Sequence, residues 1–144
     1  LTAPYSLMAD GDRLDRYLAR CRLNGVAPLT LHTELRSAAI TTRLLDALTD
    51  PLERPSAVIT NSDWSAHSVY RAARDCGLEI GRDLSVVGHD DLTSSEFLAP
   101  ALTTVHLDRR AVGAEAVRHL RGERAGDYLA PVELVVRDSS GPPR

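Results

Sequence analysis

Two short polar segments in this sequence could form a binding site for a small molecule. Residues 61–63 (Asn-Ser-Asp) and 89–91 (His-Asp-Asp) each follow directly on a short apolar run. If those runs are parallel strands, both segments lie at the carboxyl edge of the sheet, where open α/β folds bind ligands. A carboxylate such as Asp90 can accept two hydroxyl hydrogen bonds from a sugar ring. Helix capping and a solvated acidic turn are the alternatives, and capping is favoured for Asp63.

The motifs of the common catalytic and nucleotide-binding sites are absent. The sequence contains no GxGxxG, GxxxxGK[ST], GxSxG or HExxH. His67, His89 and His106 have serines and aspartates nearby, but no nucleophile elbow accompanies them. Cys21 and Cys76 form neither a CxxC pair nor a metal-ligand spacing. We therefore predict that the chain is not an enzyme and needs no cofactor or metal.

The composition is that of a globular domain without a nucleic-acid-binding face. Hydrophobic residues make up 43% and charged residues 26% of the 144 residues, and the formal net charge is −3. A domain that binds DNA by itself usually carries an excess of positive charge, which this chain lacks. The sequence shows neither a membrane-length apolar run nor a secretion signal, so we predict no membrane partner.

Helical and extended patterns alternate along the chain. Apolar residues at helical spacing predict helices over 12–24, 40–48, 66–76 and 112–120. Short apolar runs predict strands over 26–31, 56–60, 84–88, 102–107 and 132–136, that over 56–60 being a buried one. This order is typical of βαβ units, so the predicted fold is α/β, a parallel sheet with helices on both faces. We assign residues 1–138 to one domain and 139–144 to a flexible tail.

Two phrases in the sequence resemble the motifs of LacI/GalR-type bacterial transcription regulators. Residues 83–91 (D-L-S-V-V-G-H-D-D) and 100–105 (P-A-L-T-T-V) are similar to the family's D-[VI]-S-V-[VI]-G-[FY]-D-D and P-x-L-T-T-[VI]. Upstream, residues 55–72 resemble the family's segment around [NS]-D. Downstream, residues 131–137 resemble its closing strand. The resemblance covers nearly the whole chain.

The resemblance implies a periplasmic-binding-protein-like sensor of two α/β lobes with a small effector bound between them. This chain would hold most of the C-terminal lobe. It would be the effector-sensing and dimerisation part of a cytoplasmic repressor that contacts operator DNA only through a missing N-terminal helix-turn-helix. The start at Leu1, without an initiator Met, fits a piece of a longer protein.

The resemblance also implies four ligand-binding residues. Arg13 matches the family's effector-binding arginine, Ser62 its [NS] position, and Asp90 the first Asp of G-x-D-D. Arg36 falls where several members place an aromatic residue that stacks on the ligand. Because Arg suits a carboxylate or a phosphate, an acidic metabolite and a sugar both stay open as effector. Another departure is His89, which replaces the family's aromatic residue.

The expected homodimer contact lies on the helix after [NS]-D and on the loop after G-x-D-D. In this chain it comprises Trp64, His67, Phe97 and Leu98. Large exposed apolar side chains on one side of a lobe are unfavourable unless a partner covers them.

The sugar-binding protein of a transport system is the alternative function, because such proteins share the fold. The sequence of residues 83–91 (D-L-S-V-V-G-H-D-D) favours the regulator.

Overall fold

The computed structural model describes residues 8–31 and 38–142 of the chain. Helices and strands alternate through most of this part, as the sequence pattern predicts. The helices are α1 (Met8–Leu23), α2 (Ala38–Thr49), α3 (Asp63–Asp75) and α4 (Arg109–Leu120), with a short 3₁₀ helix over Thr93–Phe97. The strands are β1 (Ala57–Ile59), β2 (Ser85–His89), β3 (Thr103–Leu107) and β4 (Val132–Val135).

The four strands form one sheet in the order β1-β2-β3-β4. The first three are parallel, which confirms the predicted α/β class. The last strand departs from the prediction because β4 pairs antiparallel with β3. Residues 121–131 carry the chain back past the end of α4, so that Val132 begins opposite Leu107. An antiparallel edge strand on a parallel sheet is common in α/β folds.

The helix ends follow the stop signals in the sequence. Helix α2 ends at Thr49, immediately before Asp50-Pro51, because a residue that precedes proline is disfavoured in the helical conformation. Helix α3 ends at Asp75, and Gly77 adopts φ +70°, a left-handed conformation that favours glycine.

The hydrophobic core lies between α3 and one face of the sheet, and α2 packs on α3. Small side chains on α3 allow the helix to approach the strands closely. The fully buried members of the core are Leu44, Leu48, Ala66, Val69, Ala72, Ala73, Leu84, Val86 and Leu102. At about 25 cal/mol per Å² of buried apolar area, this cluster is the main favourable contribution to the free energy of folding.

One strand prediction is wrong, and a second is wrong in part. Residues 26–31 have no regular secondary structure, and Pro28 has no N–H to donate to a neighbouring strand. Strand β1 is not buried: among the described strands it pairs only with β2, and Ile59 is 60% exposed. The apolar run does contain a strand, as predicted, but its position at the edge of the sheet is set by tertiary structure.

Ser139 belongs to the folded domain. It is fully buried and forms hydrogen bonds with residues near the start of both β2 and β3. Its Oγ donates to the Val86 carbonyl at 2.6 Å and accepts from the Thr103 amide at 2.8 Å. Its backbone bonds Val86 and Ala101 as well. The prediction that a flexible tail starts at Ser139 is therefore wrong for this residue.

A buried carboxylate joins α3 to the two strand ends beside it. Asp63 is fully buried, and its carboxylate accepts from the Leu92 amide at 2.8 Å and from the hydroxyls of Ser95 and Thr104 at 2.6 Å each. The structure contradicts the predicted capping role of Asp63, because Ser62 occupies the N-cap of α3. Charge-assisted hydrogen bonds of this kind are about twice as strong as neutral ones.

Gly88 leaves the space that the Asp63 carboxylate fills. A Cβ at residue 88 would lie 2.1 Å from Asp63 Oδ1 and 2.9 Å from Leu102 Cδ2. We expect Gly88→Ala to lower the free energy of unfolding by roughly 1–3 kcal/mol, the usual cost of overpacking.

The matched control is Gly113→Ala. A Cβ there meets nothing within 4 Å, and the helical position should gain about 1 kcal/mol. Urea unfolding of both variants measures the difference. Equal stability of Gly88→Ala and wild type would contradict the role assigned to this glycine.

Candidate functional site

The carboxyl ends of the three parallel strands bring the predicted polar segments to one edge of the sheet. Residues 60–62 follow β1, residues 90–91 follow β2, and Asp108 follows β3. Asp108 caps α4 by accepting from the amides of Arg110 and Ala111. The polar groups at this edge come from segments far apart in sequence, so their proximity is a product of the fold.

Arg13 reaches this edge from α1. Its Nη1 donates to the Asn61 carbonyl at 3.2 Å, across 48 positions of sequence. Partial burial lowers the pKa of Arg13, while the negative charge of Asp90 acts in the opposite direction. Arg13 is therefore close enough to Asp90 for the two charges to interact.

Ser62 is the N-cap of α3. Its Oγ accepts from the Ser65 amide at 3.3 Å, and Ser65 Oγ donates to Asn61 Oδ1 at 2.8 Å. A hydroxyl that accepts an amide hydrogen bond keeps its own proton and can still donate to a ligand. Capping and ligand binding are thus compatible at this residue.

Asp90 sits in a strained turn. Its φ is +114° and that of Asp91 is +49°, values that residues other than glycine adopt rarely and at a cost of about 1–3 kcal/mol each. The turn is held by the Asp90 amide, which donates to the Val105 carbonyl at 2.9 Å, and by the Asp91 amide, which donates to Thr104 Oγ1 at 3.3 Å. The side chain of Asp90 contacts the neighbouring histidine, since its Oδ1 lies 3.1 Å from His89 Nδ1.

The carboxylate of Asp91 holds this turn through contacts with two other side chains. Its carboxylate accepts from Arg137 Nη2 at 2.8 Å and lies 2.9 Å from His106 Nδ1. Arg137 also donates to the Leu102 carbonyl at 2.8 Å, and its side chain is only 14% exposed. Burial opposes ionisation of Asp91, but the hydrogen bonds and charges of Arg137 and His106 outweigh it and lower its pKa.

Sequence reasoning missed three residues of this site. Arg137 lies in the closing segment that resembles the family, but nothing in its spacing predicted a pairing with Asp91. His106 was noted as a possible triad member, whereas its ring contacts Asp91. Arg109 Nη1 donates to the Asp90 carbonyl at 2.5 Å. The proposed ligand residue Arg36 lies outside the described residues.

Of the four residues predicted for a subunit contact, Trp64 at the start of α3 and Phe97 in the 3₁₀ helix lie on the surface. Trp64 is 67% exposed and Phe97 is 80% exposed. His67 contacts Trp64 with ring centroids 5.7 Å apart, and its buried Nε2 makes no hydrogen bond within the described part of the chain. Leu98 instead packs partly against the core.

A groove of about 730 Å³ adjoins this surface. His67 and Leu98 are part of its wall, with Tyr70 between them, whose hydroxyl donates to the Pro100 carbonyl at 2.7 Å. Burial raises the pKa of Tyr70 to about 12, so it stays a neutral donor. The remaining lining residues are Arg71, Arg74, Gly77, Leu78, Glu79, Ile80, Arg82 and Ala99.

Residues 8–31 and 38–142 contain no group of three or more His, Cys, Asp or Glu side chains placed to hold a metal ion. Their helices are also too short or too polar to cross a membrane.

The sequence matches one family model and several bacterial transcriptional repressors. The family model of the periplasmic binding protein-like domain matches residues 5–140. The transcriptional repressor PurR of Edwardsiella ictaluri is 29% identical over 119 residues, which are 81% of this chain and 35% of that protein. The lactose operon repressor of Escherichia coli is 37% identical over 91 residues, 60% of this chain and 25% of that protein.

Solved structures of similar proteins superpose on the chain over nearly its whole length. The lac repressor dimer bound to operator and the anti-inducer ONPF superposes with a TM-score of 0.81 at 26% identity, over 96% of this chain and 51% of that one. An uncharacterised protein from Actinobacillus succinogenes gives 0.84 at 28% identity, over 97% and 54%. The chain thus spans about half the length of these structures.

Fold and family model together define the class: the chain belongs to the family of periplasmic binding protein-like domains. Within it, the curated relatives are transcriptional repressors of the LacI type. The resemblance to LacI/GalR-type regulators is therefore confirmed.

The Asp91 cluster predicts a pH dependence of stability. A carboxyl whose pKa is lowered by folding stabilises the fold above its usual pKa of about 4, and this contribution is lost as the pH falls through the folded value. We expect Asp91→Asn to be less stable than wild type near neutral pH, and the difference to shrink between about pH 5 and pH 2. Urea unfolding at several pH values measures this, with exposed Asp127→Asn as the control. A pH-independent difference would contradict the role given to the Arg137 and His106 contacts.

Proposed function

We propose that this chain is the effector-sensing and dimerisation part of a cytoplasmic LacI/GalR-type regulator. It binds a small polar ligand, a sugar or a derivative, between this lobe and a second one. The observation that carries the proposal is the arrangement at the strand ends: Arg13 bonds Asn61 beside the Ser62 cap, within reach of Asp90. This arrangement combines fixed donors with a carboxylate acceptor, which is the chemistry that orients a polyhydroxylated ligand.

Signal transfer follows from the two-lobe design. A ligand that binds one relative orientation of the lobes better than another shifts the population toward it, and thereby changes the geometry of the DNA-binding heads in a dimer. With a net charge of −3, this chain is not proposed to contact DNA itself. Operator contact is assigned to a helix-turn-helix outside the chain.

The transport alternative is less favoured because the curated relatives are repressors. No catalytic role is proposed: His106 contacts the Asp91 carboxylate, which holds the turn, and His89 contacts Asp90, the proposed ligand acceptor.

The surface around Trp64 and Phe97 supports self-association. Asp63 bonds the Leu92 amide and Ser95 Oγ, so it ties the segment that carries Phe97 to the first turn of α3, which carries Trp64. Exposed aromatic residues on a rigid base are typical anchors of protein interfaces. A second copy of the chain is the proposed partner.

Asp90→Asn tests the effector site. We expect it to weaken effector binding at least about tenfold, because a hydrogen bond to a charged acceptor contributes about 1.5–3 kcal/mol, whereas Ser62→Ala costs about 1 kcal/mol. Calorimetric titration of the full gene product with a panel of sugars and sugar acids measures both. The melting temperature of Asp90→Asn should stay nearly unchanged. Retained affinity with a large loss of stability would mean that Asp90 only braces the lobe.

Phe97→Ser tests the dimer contact. We expect the dissociation constant of the dimer to rise at least about tenfold, because central aromatic anchors contribute about 2 kcal/mol or more. Sedimentation velocity over a concentration series provides the measurement. Leu129→Ser, at a residue that is 94% exposed on another segment, is the matched control. A wild-type protein that stays monomeric at high concentration would reject this contact.

A further inference from the structure

Hydrogen bonds fix both peptide groups that flank Asp90. The Asp90 amide donates to the Val105 carbonyl of β3 at 2.9 Å, which fixes the peptide group before the residue. The carbonyl of the following peptide group accepts from Arg109 Nη1 at 2.5 Å. The amide of that same group, which belongs to Asp91, donates to Thr104 Oγ1 at 3.3 Å. The positive φ angles of this turn are therefore imposed by contacts with β3 and with the first residue of α4.

The carboxylate of Asp90 is held on one of its two oxygens. Its Oδ1 lies 3.1 Å from His89 Nδ1 and 4.0 Å from Arg109 Nη1. Its Oδ2 has no hydrogen-bond partner among residues 8–31 and 38–142, and the side chain is 34% exposed. An ionised carboxylate oxygen accepts hydrogen bonds, so Oδ2 is the atom that can accept from a hydroxyl group of a ligand.

The stability of α4 does not explain why an arginine occupies position 109. The helix begins with Arg109 and Arg110, and its first turn contains no acidic residue. Cations in the first turn are disfavoured, because the positive end of the helix dipole lies there. The ion pair with Asp90 contributes little, since the two side chains are 52% and 34% exposed and the charged atoms are 4.0 Å apart. The contact that remains is the hydrogen bond to the Asp90 carbonyl, which acts on the geometry of the turn.

We propose that Arg109 is a positioning residue of the effector site. It holds the Asp90 carbonyl and thereby fixes the turn, while His89 holds Oδ1, so that Asp90 Oδ2 is presented to a hydroxyl group of the ligand. Arg109 acts through Asp90 and not by a contact of its own with the ligand. This inference rests on the proposed effector site and adds to it the residue that sets the geometry of its acceptor.

The variants Arg109→Gln and Arg110→Gln form a matched pair, since each removes an exposed cation from the first turn of α4. The full gene product is titrated by calorimetry with D-glucose, D-galactose and D-ribose and with the corresponding aldonic acids. We expect Arg109→Gln to weaken binding at least about fivefold and Arg110→Gln to change it less than about twofold, because only Arg109 bonds the turn. Both variants should melt close to the wild-type temperature. Arg109→Lys keeps a charged donor and should lose less affinity than Arg109→Gln.

A double-mutant cycle separates positioning from a direct ligand contact. Asp90→Gly removes the carboxylate, and glycine adopts a positive φ without strain. If Arg109 acts through Asp90, Arg109→Gln should change the affinity less than about twofold in the Asp90→Gly background. A loss as large as in the wild-type background would show that Arg109 binds the ligand itself, and would overturn the inference. Equal effects of Arg109→Gln and Arg110→Gln would overturn it as well.

Hydrogen exchange in the ligand-free protein does not depend on the choice of compounds. The Asp91 amide belongs to the peptide group that Arg109 bonds. We expect this amide to exchange at least about fivefold faster in Arg109→Gln and at an unchanged rate in Arg110→Gln, because the lost bond lowers the free energy of opening the turn. An unchanged rate in Arg109→Gln would overturn the inference, whether or not a compound of the panel binds.

Failure of this inference can be told from failure of the proposed function. Binding that depends on Asp90 but not on Arg109 would keep the effector site and reject only the positioning role. Binding that Asp90→Asn leaves unchanged would reject the proposed effector site, and the positioning role with it.

Discussion

The buried carboxylate of Asp63 joins three parts of the chain that are remote in sequence. It lies in the first turn of α3 and accepts from the Leu92 amide, from Ser95 Oγ and from Thr104 Oγ1. A buried charge is costly unless it is fully hydrogen-bonded, and these three donors meet that requirement. Gly88 is the residue that makes room for it, because any Cβ there would collide with Oδ1.

The two proposed activities of the lobe depend on this interaction. On one side, Thr104 also accepts from the amide of Asp91, so the strained turn that presents Asp90 is held by the hydroxyl that bonds Asp63. On the other side, the segment that begins at Leu92 carries Phe97 to the surface. A change in the position of this segment would therefore alter the geometry of the ligand site and of the subunit contact together. Such a shared change is the physical requirement for coupling between the two sites.

Local patterns predicted most of the fold. Spacing of apolar residues located the four helices and most of the strands, because burial of one helix face or one strand is recorded directly in sequence. The exposure of Ile59 and the antiparallel β4 depend on which strands become neighbours, and no local pattern records that. The same limit applies to the site. Arg13 and Asp90 were predicted from the family resemblance. The ion pair of Arg137 with Asp91 is a tertiary contact that no local sequence pattern predicts.

Hydrogen exchange at the Leu92 amide tests the central role of Asp63 most directly. This amide lies in a loop, yet it donates to a fully buried carboxylate. It should therefore exchange as slowly as the Val86 amide in β2, through an opening that requires much of the domain to unfold. Exchange at the rate of an unstructured peptide would show that the loop opens independently of the core. Asp63 would then not be the constraint that holds the ligand turn and the contact surface in place.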